Sequence, residues 1–355
     1  MTTDFEAPKP IPFVENKTPD WVRVQQLMTK SAEAGRWTNF GPVESELAQL
    51  VYDRIGRPAG KAVVMASSAT SALHALAGSH AERAGRPLVW AVSAFGFFST
   101  RIGPLANHIR ILDCDRSGLM DLAALKALPP DQWEGLIVTD IFGMQPDFTP
   151  FSALCQAAGK PMIIDSAVSF PAQRPASFNA GEIISFHHTK PWGFGEGGCM
   201  LIDRTQEETA RALLNFGVHL DRSLAPYAAN GKMSDVAAAL IHQRVETMPR
   251  WAEGYRKQRR RMTELARAEK LSILVTPPDD SVTPHVQVLS PRPLALADLP
   301  KLPFSVAKYY PPLGGPCPVA ADLYARIVAV PCHPGMADIE DDVLRGFFRQ
   351  LAADA

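Results

Sequence analysis

The segment Glu182–Ile202 contains a lysine in a setting that favours nucleophilic chemistry. An apolar run ends at Ser185, a glycine-rich loop follows, and a second apolar run covers Cys199–Ile202. This pattern predicts two strands joined by a loop that holds Lys190 at the bend. Aromatic residues and a proline flank Lys190, and poorly hydrated surroundings disfavour the ammonium form of a lysine. The amine is therefore predicted to act as a nucleophile.

Three interpretations of this segment are open. Taken alone, most lysines are solvated surface charges. Gly193, Gly195 and Gly198 match the G-x-G-x-x-G spacing of a dinucleotide-binding loop, but such a loop must open a helix, and the residues after Gly198 are apolar and strand-like. We favour the third interpretation, in which Lys190 forms a Schiff base with the aldehyde of pyridoxal phosphate (PLP).

Asp165 is the second candidate for chemistry because it directly follows the apolar run 161–164. A carboxylate in that position is predicted to be buried, and a buried carboxylate needs a cationic or strongly donating partner. One interpretation is a structural aspartate that caps the next turn with Ser166. The other is that Asp165 pairs with the protonated ring nitrogen of PLP and so keeps the ring an electron sink.

Two further candidates follow predicted strands. The hydroxylated turn Ser67–Ser71 lies between a strand and a helix, an arrangement that presents free N–H groups to a phosphate. An ordinary serine N-cap is the alternative. Phe97 follows the strand Leu88–Val92, although a core phenylalanine is the simpler interpretation of this residue alone. Ligands of parallel sheets bind at the carboxyl ends of the strands, where both candidates are predicted to lie.

Strand and helix patterns alternate through the first half of the chain. Short apolar strands separated by helices predict an α/β fold with a mostly parallel central sheet covered by helices. A helical pattern from Ser234 to Lys270 follows, interrupted by Pro249. The predicted strands are Lys61–Met65, Leu88–Val92, Ile109–Asp113, Gly135–Thr139 and Met162–Ile164, and the helices between them include Ala72–Ala84, Phe98–Ala106, Leu122–Leu128 and Pro150–Ala158.

The composition changes beyond Leu271. Proline-rich connections separate short apolar runs there, and a helix from Asp338 to Leu351 ends the pattern. We therefore predict a large PLP-binding domain over residues 1–250, which includes the N-terminal segment, and a smaller α+β domain over residues 251–355.

Charge and composition exclude several classes of function. The 355 residues carry a net charge of −1 without a basic patch, which argues against nucleic acid as a partner. An apolar run of about 18 residues would predict a membrane span, and a signal-peptide pattern would predict secretion. Neither pattern is seen in this sequence, so we expect neither property. The five cysteines are widely spaced and form no C-x-x-C pair or metal-type spacing. They are expected to be reduced thiols, so we predict a cytoplasmic protein.

Taken in order, these segments resemble the DegT/DnrJ-type PLP aminotransferases of fold type I, which act on nucleotide-linked keto sugars. The segment Ser185–Lys190, Ser-Phe-His-His-Thr-Lys, looks like the family signature S-F-H-x-T-K, and the resemblance covers roughly residues 20–265. The other matching segments are Asn39–Pro42 (N-x-G-P), Ser67–Leu73 (S-S-G-T-x-A-L), Phe142–Asp147 (F-G-x-x-x-D), Asp165–Ala167 (D-A-A) and Asn230–Asp235 (N-x-R-M-S-D).

The resemblance implies a role for each matching residue. Lys190 carries PLP, Asp165 pairs with the ring nitrogen, and Phe97 stacks on the ring. The phosphate is held by Ala69 and Thr70 at a helix N-terminus, by Ser185, and by Asn230 of the neighbouring subunit. The enzyme is therefore expected to be a homodimer with shared active sites.

Two residues depart from the family pattern. Val168 stands where the family usually has a glutamine or histidine near the phenolic oxygen of PLP, so that hydrogen bond is not expected here. Ala69 replaces the usual glycine, which is tolerable if the backbone at this position is not left-handed.

The leading hypothesis is an aminotransferase that moves an amino group from an amino acid, by family habit L-glutamate, to a keto sugar, expected to be nucleotide-linked. A PLP-dependent sugar dehydratase is the first alternative, but related dehydratases have a histidine in place of the lysine, so Lys190 argues against it. The second alternative is a non-catalytic protein of the same fold that acts as a sensor or assembly partner, for which Val168 is the only sequence support.

Overall fold

A seven-stranded sheet forms the centre of the computed structural model, which describes residues 10–172 and 180–353. The strands lie in the order β1-β7-β6-β5-β4-β2-β3. All neighbouring pairs from β3 to β6 are parallel, whereas β7 is antiparallel to both β6 and β1. The predicted mostly parallel α/β fold is confirmed. The strands are β1 (Lys61–Ala66), β2 (Trp90–Ser93), β3 (Ile109–Leu112), β4 (Gly135–Thr139), β5 (Met162–Asp165), β6 (Gly181–Ser185) and β7 (Gly198–Asp203).

Helices cover both faces of this sheet, which explains why its central strands are apolar on both sides. Along β1, Val63 and Met65 face one core while Val64 and Ala66 face the other. The first core contains side chains of α1, α2, α7 and α8, and the second contains side chains of α3 and α6. The helices are α1 (Trp21–Glu33), α2 (Pro42–Arg54), α3 (Ala69–Ala84), α4 (Leu122–Ala127), α5 (Thr149–Ala157), α6 (Glu207–Leu214), α7 (Asp235–Glu246), α8 (Met248–Ala268), α9 (Pro318–Arg326) and α10 (Asp341–Ala352).

Four helix predictions differ from the structure, and one of them is the last helix, α10, which begins at Asp341, three residues later than predicted, because residues 334–338 form a 3-10 turn. The segment Phe98–Ala106 forms two short 3-10 turns instead of a helix, because Gly103 has a φ of +56° and the proline after it lacks an N–H. The pattern from Ser234 to Lys270 is divided at Thr247 into α7 and α8, and Pro249 lies in the first turn of α8, where proline is tolerated. Helix α3 begins at Ala69, three residues earlier than predicted.

The C-terminal part contains a second, antiparallel sheet in the order β10-β9-β8. Its strands are β8 (Ser272–Ile273), β9 (His285–Leu289) and β10 (Ile327–Pro331). Helix α8 runs across residue 250 and packs on β8 and β9, so the predicted division into residues 1–250 and 251–355 stays a prediction. The segment before α1 joins this part, because Ile11 forms an isolated parallel bridge with Phe304.

The described residues contain neither a membrane-spanning helix nor a cluster of metal-ligating side chains. None of their helices is both long and apolar enough to cross a membrane. Across the same two ranges, 10–172 and 180–353, no group of three or more His, Cys, Asp and Glu side chains is placed to hold a metal ion.

Candidate active site

A cavity of about 290 Å³ lies at the carboxyl ends of the parallel strands. Thr139, Asp165 and Ser185 line it, and these are the last residues of β4, β5 and β6. The small sheet closes it from the other side through His285 and the aromatic residues after 308. Six of the seven residues proposed from the sequence line this one cavity: Ala69, Thr70, Phe97, Asp165, Ser185 and Lys190.

Lys190 lies on the loop between β6 and β7, as predicted. The loop folds tightly on itself: the N–H of Lys190 donates to the carbonyl of His187 at 2.8 Å, and a Cβ built on Gly193 would lie 2.2 Å from that same carbonyl oxygen. Burial lowers the pKa of the Lys190 amine to about 8, and the negative charge of Asp165 opposes this shift. Within the described part of the chain the amine has no hydrogen-bond partner, so it is free to react with a ligand in the cavity.

Asp165 lies at the end of β5 and is only 1% exposed. Its carboxylate accepts a hydrogen bond from the N–H of Ala167 at 3.1 Å. Burial raises the pKa of the carboxyl group to about 6, against the effects of the Ala167 N–H and of Lys190. The bond from the Ala167 N–H is what a turn-capping aspartate would accept, so this alternative stays open beside the ring-nitrogen role, and the hydroxyl of the neighbouring Ser166 donates to the buried carboxylate of Glu182.

The turn between β1 and α3 presents the N-terminus of a sixteen-residue helix to the cavity. Ser68 caps this helix by accepting from the N–H of Ser71 at 3.1 Å, while the N–H groups of Ala69 and Thr70 have no acceptor among the described residues. Free N–H groups and the positive helix end form an anion site. Because Ala69 is the first helical residue, its backbone is not left-handed, and alanine fits where the family has glycine.

A glycine of β7 allows this turn to lie against the sheet. A Cβ built on Gly198 would lie 2.2 Å from the backbone nitrogen of Ala69 and 2.4 Å from the carbonyl carbon of Ser68. No side chain fits in that space, so the close approach of β7 to the turn requires glycine at this position.

Phe97 and Asn230 occupy different positions relative to the cavity. Phe97 is 50% exposed and lies at the cavity wall, with its ring edge-to-face to Phe98 at a centroid distance of 6.2 Å. Asn230 is exposed and does not line the cavity of its own chain; its side-chain oxygen accepts a hydrogen bond from Lys232 at 2.9 Å. Their roles in stacking and in phosphate binding across subunits stay predictions.

The sequence did not indicate His285, which also lines the cavity. The side-chain amide of Gln287 donates to Nδ1 of His285 at 2.6 Å, so the proton of the neutral ring is on Nε2. The ring stacks on Tyr309 at a centroid distance of 5.2 Å, and burial lowers its pKa to about 3. The site therefore contains a neutral histidine whose N–H donor is not used by any described residue.

Phe13 also joins the cavity from the N-terminal segment, where it contacts the rings of His285 and Tyr309 at 5.5 and 5.9 Å. No sequence signal marks Phe13 or His285, because each is separated from the lysine loop by about a hundred residues or more and neither forms part of a recognisable motif.

The side chains of the cavity fit PLP. The amine of Lys190 and the carboxylate of Asp165 face one enclosed space without a hydrogen bond to each other, and the free N–H groups of Ala69 and Thr70 are open to the same space. An amine, a buried carboxylate and an anion site are the three groups that a phosphorylated pyridine aldehyde requires. Val168 is buried at the cavity and offers no hydrogen-bond donor to the phenolic oxygen.

Comparisons with known proteins agree with this geometry. The chain is 27% identical over 373 residues to Protein Rv3402c of Mycobacterium tuberculosis (strain ATCC 25618 / H37Rv), and the match covers 94% of this chain and 88% of that protein. The PLP form of Spr1654 from Streptococcus pneumoniae has a TM-score of 0.79 at 18% identity, over 96% of this chain and 98% of that one. DesI, solved in the presence of its TDP-sugar product, has a TM-score of 0.74 at 20% identity, over 98% and 92%. At these identities the two structures establish the fold.

The family assignment comes from the sequence itself. The profile of the DegT/DnrJ/EryC1/StrS aminotransferase family matches residues 22–295, which is more than three quarters of the chain. The chain therefore belongs to the DegT/DnrJ/EryC1/StrS aminotransferase family, and the predicted enzyme class, a PLP-dependent aminotransferase of fold type I, is confirmed.

Proposed function

We propose that the enzyme transfers an amino group from an amino acid, L-glutamate, to a keto sugar that is linked to a nucleotide. The observation that carries this proposal is the shared cavity of Lys190 and Asp165, since one amine and one buried carboxylate on opposite sides of a ligand are what transamination with PLP needs. The nucleotide-linked acceptor is supported by the structural likeness to DesI, whose product is a TDP-sugar.

In this proposal the side chains of the cavity have distinct tasks. When bound, PLP withdraws electrons from the carbon that carries the amino group. Lys190 would hold PLP covalently and, once released, would take the proton from the α-carbon of the donor as a general base. Asp165 would hold a proton at the ring nitrogen. Ala69, Thr70 and Ser185 would bind the phosphate, and Phe97 would pack against the ring.

The electrostatics of the site suit these tasks. A lysine with a pKa of about 8 is neutral in a substantial fraction of molecules near pH 8, whereas an ordinary lysine is almost fully protonated there. The carboxyl group of Asp165, with its pKa raised by burial, gains a favourable partner when a protonated pyridine nitrogen faces it.

We also infer that two copies of the chain share their active sites and that the enzyme works in the cytoplasm. Asn230 is exposed and lies outside the cavity of its own chain, beside the segment that carries the exposed apolar side chains of Phe216 and Val218, since Asn230 bridges to Asn215 and the N–H of Phe216 donates to the carbonyl of Ala229. A partner that covers this surface would bury those side chains and could bring Asn230 to the phosphate of the other site. All five cysteines are free and buried, which suits a reducing compartment.

The proposed function is tested with Lys190→Ala. The variant is expected to lose the visible absorbance of covalently held PLP and to lose turnover entirely, while Lys30→Ala, which removes a half-buried lysine paired with Glu46 outside the cavity, keeps both. The assay measures α-ketoglutarate formed from L-glutamate in the presence of a panel of nucleotide-linked and free keto sugars.

Each outcome of this assay has a meaning. Activity with nucleotide-linked acceptors supports the proposal, and activity with free keto sugars alone contradicts the nucleotide linkage. A Lys190→Ala variant that still transaminates rules out the role of Lys190. A wild-type protein that binds PLP but converts no acceptor in the panel contradicts the proposed acceptor class.

A further inference from the structure

A second lysine, Lys17, is buried beneath the loop that carries Lys190. Lys17 belongs to the segment that precedes α1, and it is only 7% exposed. Its ammonium group donates to the backbone carbonyls of His188 and Lys190, both at 2.5 Å, and of Gly193 at 2.8 Å. All three acceptors belong to the loop between β6 and β7, more than 170 residues away along the chain.

The match between donors and acceptors is complete. An ammonium group has three N–H donors, and Lys17 uses each of them on a different carbonyl of one loop. A buried carbonyl without a donor is unfavourable, and Gly193 is buried; the carbonyl of Lys190 also accepts from the N–H of Gly193, so Lys17 adds a second donor there. Lys17 does not line the cavity. It therefore touches neither substrate nor cofactor and acts on the loop from behind.

A second cation, Arg244 of α7, also binds the loop. Its Nε donates to the carbonyl of Pro191 at 2.8 Å, and its Nη2 pairs with the carboxylate of Glu15 at 2.5 Å. The hydroxyl of Tyr255 donates to the same carboxylate at 2.9 Å. The carbonyls of residues 188, 190, 191 and 193 are thus held by two cations, and Glu15 of the N-terminal segment lies beside both.

The charges around Lys17 indicate that the protein maintains an unfavourable arrangement at this point. Burial first, and then the charges of Arg244 and Lys190, lower the pKa of Lys17 to about 7 against the opposing effect of Glu15. A buried lysine with two cationic neighbours is unfavourable unless hydrogen bonds and an opposite charge compensate for it. The three carbonyls of the loop provide the hydrogen bonds, and Glu15 provides the opposite charge.

We propose that Lys17 is a positioning residue for Lys190: its ammonium group fixes the backbone of the loop from which the Lys190 amine reaches into the cavity. The proposal rests on the function proposed above for Lys190. Displacement of a reacting group by about 1 Å can cost two orders of magnitude in rate, so a hold on the Lys190 backbone itself acts directly on catalysis.

The first test follows the loop in protein freed of PLP. In Lys17→Met, amide hydrogen exchange is expected to be at least tenfold faster at Phe186, Lys190 and Gly193, whose N–H groups are hydrogen-bonded within the loop. Exchange in β1 should not change, and Lys30→Met should leave both regions unchanged because the amine of Lys30 pairs with Glu46 and not with the loop. Lys17→Gln, which retains two donors, should lie between wild type and Lys17→Met.

The second test uses the PLP-loaded enzyme. For Lys17→Met, kcat is expected to fall at least tenfold while KM for the amino donor changes less than twofold, and Lys17→Gln should recover part of the loss. Wild-type exchange and wild-type kcat in Lys17→Met would overturn the proposal. Failure of both variants to fold would also overturn it, because Lys17 would then be required for folding rather than for positioning the loop.

The two proposals can fail separately. A protein that shows accelerated exchange in Lys17→Met but never transaminates would contradict the proposed function and leave the hold of Lys17 on the loop intact. If the wild-type protein transaminates and amide exchange in the loop is unchanged in Lys17→Met, the proposed function is supported and the positioning role of Lys17 is contradicted.

Discussion

Asp165 is buried and Lys190 is half-buried in the same cavity, and desolvation acts against the charged form of each. The pKa of the lysine is lowered to about 8 and that of the aspartate is raised to about 6, although each carries a charge that favours the other. Two titratable groups shifted toward neutrality in one cavity are typical of a site that trades stability for chemistry. The cofactor-free protein should therefore gain stability when either charge is removed.

Asp165→Asn is predicted to stabilise the cofactor-free protein. Because the pKa of Asp165 is raised on folding, its contribution to stability is fully present below the unfolded pKa of 3.8 and is lost as the pH rises through about 6. At pH 7 the carboxylate costs on the order of 3 kcal/mol, and at pH 5 about half of that. Urea denaturation of the variant should show a gain of this order at pH 7 and a smaller gain at pH 5.

The control for this measurement is Asp131→Asn, an exposed aspartate whose replacement should change the free energy of unfolding by less than about 0.5 kcal/mol. The gain in Asp165→Asn should be accompanied by weaker PLP binding. A variant that is less stable than wild type at pH 7 would show that Asp165 supports the fold instead of straining it.

At the scale of elements, the site depends on how closely β7 approaches the start of α3. The three nearest atoms that a Cβ on Gly198 would meet, at 2.2–2.6 Å, are backbone atoms of Ser68 and Ala69, and backbone atoms of a capped helix cannot move aside without breaking the cap. The strand that follows the lysine loop and the turn that would hold the phosphate are therefore positioned by each other.

Gly198→Ala is predicted to destabilise the protein by about 2 kcal/mol or more and to weaken PLP binding by tenfold or more, since β7 and the turn must separate. Gly346→Ala is the matched control: it lies in the exposed middle of α10, where a Cβ meets nothing within 4 Å, and it should stabilise the protein by up to about 1 kcal/mol. Denaturation and PLP titration of both variants make the comparison. Wild-type PLP affinity in Gly198→Ala would contradict the prediction.

The elements of the large sheet could be predicted because their signals are local. Short apolar runs such as Gly135–Thr139 and Met162–Ile164 appear as strands with nearly the predicted bounds. Phe98–Ala106 could not be predicted, since its apolar spacing suits a helix while the left-handed backbone at Gly103 and the following proline prevent one. The composition of this segment therefore predicts a helix, whereas the left-handed backbone at Gly103 restricts it to two 3-10 turns.

The residues of the site also fall into two groups, those that a sequence pattern marks and those that it does not. Lys190, Asp165 and the Ser67–Ser71 turn lie in segments with recognisable patterns, and each was found from the sequence. Lys17 and His285 lie outside such segments, and only the folded chain brings them to the lysine loop and the cavity. Residues whose role depends on long-range contacts leave no periodicity or spacing for a sequence analysis to detect.

At the scale of the whole molecule, the proposed sharing of active sites between two subunits predicts complementation between two defective variants. Lys190→Ala loses the amine, and Asn230→Ala loses the proposed phosphate contact to the neighbouring site, which should raise the dissociation constant of PLP about tenfold. In a mixed dimer one site then combines an intact Lys190 with an intact Asn230. Mixing equal amounts of the two variants should restore roughly a quarter of the wild-type activity at limiting PLP, given random pairing.

The measurement is turnover after the two variants have been unfolded and refolded together, compared with the variants refolded separately and then combined. Activity that does not exceed the sum of the separate samples would place Asn230 outside the neighbouring site. Elution of the wild-type protein as a monomer would contradict the shared sites altogether.

The stretch from Ile11 to Lys17 is attached at both ends to different parts of the molecule. At one end, Ile11 forms backbone hydrogen bonds of 2.8 and 2.9 Å with residues 303 and 305, and the carbonyl of Pro12 accepts from His333 beside the small sheet. At the other end, Lys17 donates to the carbonyls of the lysine loop on the large sheet. Six residues of extended chain reach at most about 20 Å. This stretch therefore connects the small sheet to the lysine loop over a short distance. If the small sheet moves outward to admit a substrate, the movement is transmitted through Lys17 to the backbone of Lys190.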